Sequence, residues 1–127
     1  MKYLLDTNIA VLYLNNDPAI VSKMYNHFNV CISTISVGEL HYGFNNSKNK
    51  EKNMILLYRF FDNIDIIDVT KTVAYQYSNL RLKLKSLGKP IPDNDIWIAA
   101  IAQEHDFILV TRDKHFLNLD FIETEYW

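Results

Sequence analysis

Four acidic residues from distant parts of the chain, Asp6, Glu39, Asp95 and Asp113, each lie just after an apolar segment or in the first turn of a predicted helix. Carboxylates that meet in one place repel and raise one another's pKa values unless cations neutralise them. Their oxygens are hard ligands that suit Mg²⁺ or Mn²⁺. Two such ions about 4 Å apart can activate a water and stabilise the leaving oxygen of a phosphodiester. The four acids are therefore candidate metal ligands and candidate catalytic groups.

Each acid also has an explanation in helix capping, because carboxylates accept hydrogen bonds from the free N–H groups of a first helical turn. Asp6 and Asp113 would cap the helices that follow them. Glu39 would be the third residue of a capping box that begins at Ser36. One of residues 93–95 (Asp, Asn, Asp) would cap the next helix. Taken singly the acids are ambiguous, and only their grouping favours a site.

The elements that must position these acids alternate between strand and helix. Apolar segments predict strands at residues 2–5, 30–33, 64–69 and 107–110, with a short last strand at 121–122. Helices are predicted between them, with Asp17, Ser36 and Thr70 as first caps and Gly88 as a stop. Such alternation predicts a three-layer α/β/α sandwich with a mainly parallel central sheet, in which ligands bind beyond the carboxyl ends of the strands. Helical spacing further predicts buried stripes, among them Met54, Leu57, Tyr58 and Phe61.

Length and composition set wider bounds. The 127 residues are expected to form a single domain over residues 1–127. No apolar run approaches the ~20 residues of a membrane span, so no membrane association is expected. One cysteine, Cys31, lies in an apolar segment, which predicts a buried thiol, no internal disulfide and a cytoplasmic location.

The formal net charge of −2 is unusual for a protein that binds nucleic acid, because phosphate contacts normally need a basic surplus. A metal-binding acidic cluster would lower the net charge and still attract phosphate. The densest basic run, Arg81, Lys83, Lys85 and Lys89, is either a solvated helix face or a contact for an RNA backbone. Residues His27, His41, His105 and His115 are scattered, and we interpret them as solvated or structurally satisfied.

With these residues identified, the sequence resembles the PIN-domain ribonucleases, and most closely the VapC-type toxins of bacterial toxin–antitoxin pairs. The matching motifs occur in family order and at family spacing, so that the resemblance covers nearly the whole chain. They are Leu4-Leu5-Asp6-Thr7-Asn8, residues 33–43, Ile91 to Ala100, and Val110-Thr111-Arg112-Asp113 with Phe116.

The resemblance implies that Asp6, Glu39, Asp95 and Asp113 form the acidic site, with Asn8 and Thr111 as supporting polar residues. It selects Asp95 over Asp93, because the family's third acid precedes an Ile-Ala pair by three residues. By hypothesis, Asp6, Glu39 and Asp95 bind a first Mg²⁺ or Mn²⁺, directly or through water, while Asp113 helps hold a second ion or orients the attacking water.

The resemblance also implies a PIN-like fold, a homodimer and a cognate antitoxin that inhibits the protein. The expected activity is metal-dependent cleavage of structured RNA, either tRNA or rRNA.

Other functions remain open at this point. An aspartate-based phosphotransferase or phosphatase would use Asp6 as nucleophile, but position 8 carries Asn8 where such enzymes place a second aspartate. A phosphoryl-accepting signalling domain would need a lysine where this chain has Asp113. A metal-free ribonuclease would need two histidines in one cleft. A non-catalytic PIN-like binding module would keep the fold and most of the acids without cleaving anything.

Overall fold

The sheet has five strands, all parallel, in the order β3-β2-β1-β4-β5. The computed structural model describes all residues from Met1 to Trp127. Because β1 is central and the chain moves outward from it in both directions, the carboxyl ends of β1, β2 and β4 lie side by side. The strands are β1 (Tyr3–Leu5), β2 (Val30–Ser33), β3 (Asp65–Ile67), β4 (Ile108–Val110) and β5 (Thr124–Glu125).

Seven helices cover the two faces of the sheet, and strand residues alternate between two hydrophobic clusters. Leu4 and Leu109 point into a cluster with α5, α6 and α7, whereas Leu5 and Val110 point into a cluster with α1 to α4. This arrangement confirms the predicted three-layer α/β/α architecture. The helices are α1 (Thr7–Leu14), α2 (Pro18–Asn26), α3 (Thr34–Asn45), α4 (Lys50–Asp62), α5 (Lys71–Ser86), α6 (Asp93–His105) and α7 (Lys114–Leu117).

Several predicted helix boundaries are confirmed. The Asp17 carboxylate accepts hydrogen bonds from the Ala19 and Ile20 N–H groups, with Pro18 at the first helical position. The Thr70 hydroxyl accepts from the Val73 N–H at the start of α5. Gly88 follows the end of α5 with a φ of 65°, a left-handed conformation that favours glycine. No helix combines the length and apolar character that crossing a membrane would require.

Two predicted caps are wrong. Ser33, not Ser36, caps α3, because its hydroxyl accepts the Ser36 N–H at 3.0 Å and the helix begins at Thr34. Glu39 is therefore not the third residue of a capping box. Helix α6 begins after Pro92, and neither it nor any of residues 93–95 caps the helix through a side chain. The carboxylate of Asp95 is thus not occupied by capping.

Two predicted segments also differ. The last strand is Thr124–Glu125 rather than 121–122, because the backbone of these two residues pairs with Leu109 and Val110 of β4, whereas Ile122 lies in the core before the strand begins. On α4 the buried positions are Leu57 and Phe60, whereas Tyr58 is exposed. Met54 and Phe61 pack against the core as predicted, so the difference is confined to Tyr58, whose place in the stripe is taken by Phe60.

Candidate active site

The four acids lie at the carboxyl edge of the sheet. Asp6 directly follows β1, and Asp113 is three residues beyond β4, the neighbouring strand. Glu39 is in the second turn of α3, which follows β2, and Asp95 is in the first turn of α6. The charges of Asp6, Glu39 and Asp113 all raise the pKa of Asp95, so that the four carboxylates act on one another electrostatically.

Asp6 is the most deeply placed of the four, with 4% of its surface exposed. One carboxylate oxygen, Oδ1, accepts the Thr7 N–H at 2.8 Å, and the other, Oδ2, accepts the buried Thr111 hydroxyl at 3.0 Å. Burial raises the pKa of Asp6 above its usual value, the two hydrogen bonds oppose that rise, and the charges of Asp113 and Glu39 add to it. Asp6 caps α1 with one oxygen while facing the other acids, so its capping role and its place in the cluster coexist.

Glu39 is oriented by a chain of hydroxyl groups. The Thr7 hydroxyl donates to Glu39 Oε1 at 2.8 Å and is also 2.8 Å from the Ser36 hydroxyl, which is fully buried. A hydroxyl group has one hydrogen to donate and can also accept hydrogen bonds. The Thr7 hydroxyl therefore donates to Glu39 and accepts from the Ser36 hydroxyl. Sequence reasoning missed Thr7 and Ser36 as site residues. Thr7 could have been identified from the sequence, because it lies inside the Asp6-Thr7-Asn8 motif.

Asp95 has the most strongly perturbed pKa among the four acids. Partial burial first, and then the charges of Asp6, Asp113 and Glu39, raise its pKa from 3.8 to about 6, while His115 acts in the opposite direction. None of the four acids forms an ion pair with a lysine or arginine. The negative charge of the cluster is therefore left without a neutralising side chain other than His115.

Asp113 joins the cluster to the short helix α7. Its Oδ1 accepts the His115 N–H at 2.9 Å, which makes it the cap of α7, and its own N–H donates to the Thr111 hydroxyl at 3.0 Å. The ring Nδ1 of His115 is 3.2 Å from the same Oδ1. Thr111 thus connects Asp113 to Asp6, and its supporting role in the site remains a prediction.

Asn8 and three of the four histidines lie outside the acidic cluster. Asn8 is exposed on α1 and makes no side-chain hydrogen bond to any of the acids, so its supporting role remains a prediction. The histidines have separate surroundings: His27 packs on Tyr3 and Trp127, His41 on Tyr58, and His105 on Phe107, while only His115 reaches the acids. A cleft with two histidines is therefore absent.

The donor set fits a hard divalent cation. All four groups offer carboxylate oxygens, and a cation would relieve the repulsion that raises the pKa values of Asp6 and Asp95. No three acidic, histidine or cysteine side chains converge closely enough to hold one ion between them. A bound Mg²⁺ would therefore keep waters between itself and some of these carboxylates, as this ion commonly does when it takes one or two carboxylates directly.

Comparison with known proteins gives a consistent result. The family model described as PIN domain matches residues 3–122. The chain is 33% identical to Ribonuclease VapC2 of Haemophilus influenzae, over 100% of this chain and 98% of the relative. It is 32% identical to the tRNA(fMet)-specific endonuclease VapC of Shigella flexneri, again over 100% and 98%.

Solved structures agree with the sequence comparison. A crystal structure of VapBC2 from Rickettsia felis, bound to a DNA fragment from its promoter, matches with a TM-score of 0.92 and 33% identity, over 100% of this chain and 99% of that one. The family match spans nearly the whole length and includes all four acids. The chain therefore belongs to the PIN-domain family and, within it, to the VapC group.

Proposed function

We propose that this protein is a metal-dependent endoribonuclease that cleaves structured RNA, tRNA or rRNA, and acts as the toxin of a toxin–antitoxin pair. The observation that carries the proposal is the cluster of Asp6, Glu39, Asp95 and Asp113, whose charges are compensated by no lysine or arginine. The names of the relatives, a ribonuclease and a tRNA(fMet)-specific endonuclease, support the substrate class.

The residues around the cluster would prepare it for divalent ions. When bound, Mg²⁺ or Mn²⁺ would supply the positive charge that holds phosphate oxygens and makes an attacking water more acidic. Asp6, Glu39 and Asp95 would hold the first ion, some of them directly and the others through its bound waters, and Asp113 would serve a second ion or orient the attacking water. Thr111 and Thr7 oppose the rise in the pKa of Asp6 by donating to both of its oxygens, and the Thr7 hydroxyl also orients the carboxylate of Glu39.

The same geometry argues against Asp6 as a covalent nucleophile. The side chain is 4% exposed and each oxygen already accepts a hydrogen bond, so little of the carboxylate is accessible for an in-line attack on phosphorus. A phosphotransferase or phosphatase that uses Asp6 in this way is therefore disfavoured. A non-catalytic PIN-like module differs from the proposal only in lacking cleavage, and experiment separates the two.

The proposal includes two protein partners. An antitoxin is expected because the R. felis structure is described as VapBC2, in which the related chain is bound with its partner. A homodimer is expected from the family resemblance, and light scattering of the purified chain tests it directly.

The test of function is incubation of the purified protein with total cellular RNA in Mn²⁺, in Mg²⁺ and in EDTA, followed by mapping of the new ends. Water attacking in line, with the 3′-oxygen as the leaving group, gives a 5′-phosphate and a 3′-hydroxyl, whereas attack by the neighbouring 2′-hydroxyl expels the 5′-oxygen and gives a 2′,3′-cyclic phosphate. We expect metal-dependent cuts with 5′-phosphate ends that vanish in Asp6→Asn. Cuts that persist in EDTA, or cyclic phosphate ends, would contradict the proposal.

A further inference from the structure

A cavity of about 350 Å³ adjoins the acidic cluster and carries positive charge. It lies between the segment that links α5 to α6 and the helix α7. Its lining includes Lys89 from the first segment and Lys114, His115 and Asn118 from the second. The contact of His115 Nδ1 with Asp113 Oδ1, at 3.2 Å, places this cavity directly beside the acids.

The backbone at the end of α5 fixes the position of Lys89. The Gly88 N–H donates to the Lys85 carbonyl and the Lys89 N–H donates to the Leu84 carbonyl, which is the Schellman pattern of helix termination. Gly88 adopts the positive φ that this motif requires. Pro90 then restricts Lys89 to extended conformations. The lysine is thus held at the cavity by local structure rather than by an ion pair.

Neither lysine of the cavity is neutralised by the protein. The four ion pairs of the structure involve Lys2, Arg81, Arg112 and His115, and none includes Lys89 or Lys114. Arg81 is different, because its guanidinium group donates hydrogen bonds to Tyr77 and Asp93. Two uncompensated ammonium groups and an amide side chain around one cavity are suited to an anion with several oxygens.

We propose that Lys89, Lys114 and Asn118 bind a backbone phosphate of the RNA, next to the phosphodiester that is cut at the acidic cluster. The inference rests on the proposed function and adds the path of the substrate. An acidic cluster in a chain of net charge −2 repels RNA, so nearby lysines are needed to hold the strand in register. Contacts to phosphate position a strand without reading its sequence.

The test compares two charge-reversed pairs with the same change in net charge. Lys89→Glu/Lys114→Glu alters the cavity, whereas Lys50→Glu/Lys52→Glu alters the start of α4 and leaves the cavity lining unchanged. Binding of fluorescently labelled unfractionated tRNA is measured by anisotropy in EDTA at several KCl concentrations. Circular dichroism verifies that the variants fold. The alanine versions of both pairs replace any glutamate variant that does not.

We expect the cavity pair to lose at least tenfold in affinity. The slope of log affinity against log salt should fall by about 0.7, the value for the loss of one single-strand phosphate contact. The control pair should change affinity less than threefold. Equal losses in both pairs, no loss in the cavity pair, or no binding of tRNA by the wild-type protein would overturn the proposal.

Cleavage assays keep this inference separate from the proposed function. If the wild-type protein cuts RNA with metal and the cavity pair retains normal affinity and KM, the phosphate site is wrong and the nuclease stands. If the wild-type protein binds tRNA through the cavity but never cuts it, the nuclease is wrong and the phosphate site stands.

Discussion

The substitution Asp95→Asn is expected to stabilise the metal-free protein at neutral pH while it damages the site. The pKa of Asp95 is raised in the folded protein from 3.8 to about 6, so the folded state holds the proton more tightly than the unfolded state. Below pH 3.8 the carboxyl group is protonated in both states and no penalty exists. As pH rises from about 4 to about 6 the wild-type protein loses stability, and above that range the penalty is constant.

The size of the effect follows from the same pKa. A rise from 3.8 to about 6 corresponds to about 3 kcal/mol at full value, using roughly 1.4 kcal/mol for each pH unit. Asp95 is only partly buried, so solvent screening reduces the expected gain in Asp95→Asn to about 1–2 kcal/mol. For a domain of this size that gain raises the melting temperature by roughly 3–10 °C.

The assay is thermal unfolding in EDTA, followed by circular dichroism at pH 4 and at pH 8. Asp93→Asn is the matched control, because Asp93 lies on the same helical turn but is exposed and paired with Arg81. We expect Asp95→Asn to exceed the wild type at pH 8 and to approach it at pH 4, with Asp93→Asn unchanged or slightly less stable at pH 8. A less stable Asp95→Asn at pH 8, or a gain of equal size at both pH values, would refute the reasoning.

Three further outcomes are expected. Thr111→Val should cost about 2–3 kcal/mol in urea unfolding, because its hydroxyl donates to the buried Asp6 carboxylate; a loss below about 0.5 kcal/mol contradicts this. Trp127→Ala should cost about 3–5 kcal/mol, because the Trp127 side chain is buried and its indole N–H donates to Glu125; the exposed Tyr126→Ala, the control, should cost less than about 1 kcal/mol. Mn²⁺ at a hundred times its Kd should stabilise the wild type by about 2.7 kcal/mol, and an equal gain in Asp95→Asn would exclude Asp95 as a ligand.

The parallel sheet could be predicted from the sequence because four of its five strands lie in short apolar segments that alternate with periodic helices; the last strand, Thr124–Glu125, has no apolar signal and was misplaced. The carboxyl-edge position of the acids followed from that topology alone. Caps with one clear candidate, such as Asp17 before Pro18 and the turn at Gly88, were also predictable, because each rests on local chemistry.

The errors arose where tertiary structure overrode local preference. Ser33 and Ser36 are equivalent as caps by sequence, and only the end of β2 decides that Ser33 has the role and that Ser36 turns towards Thr7. At the start of α6 two acids were available for capping, yet the helix has no side-chain cap and Asp95 lies among the other acids. Departures from local rules of this kind are expected at functional sites, where stability is given up for chemistry.

The hydroxyl network around the acids was not predictable by the same reasoning. Thr7 and Glu39 are 32 residues apart, and their contact depends on how α1 and α3 meet above the sheet. The phosphate site proposed beside the cluster has the same origin, since Lys89 and Lys114 become neighbours only when α7 packs near the end of α5. Contacts between side chains on different elements can be predicted only when the fold is known, whereas the fold class could be predicted from the hydrophobic pattern of the sequence.

The most direct test of the central claim is the cleavage rate of one RNA, identified by end mapping, for the wild type, Asp95→Asn and Asp93→Asn in Mn²⁺ and in EDTA. The account predicts equal metal-dependent rates for the wild type and Asp93→Asn. A loss of at least roughly a hundredfold is expected for Asp95→Asn, because a neutral amide would hold the metal less well, and losses of this size are typical when a group that supports transition-state stabilisation is removed. Cleavage by Asp95→Asn at the wild-type rate, or cleavage by the wild type in EDTA, would contradict it.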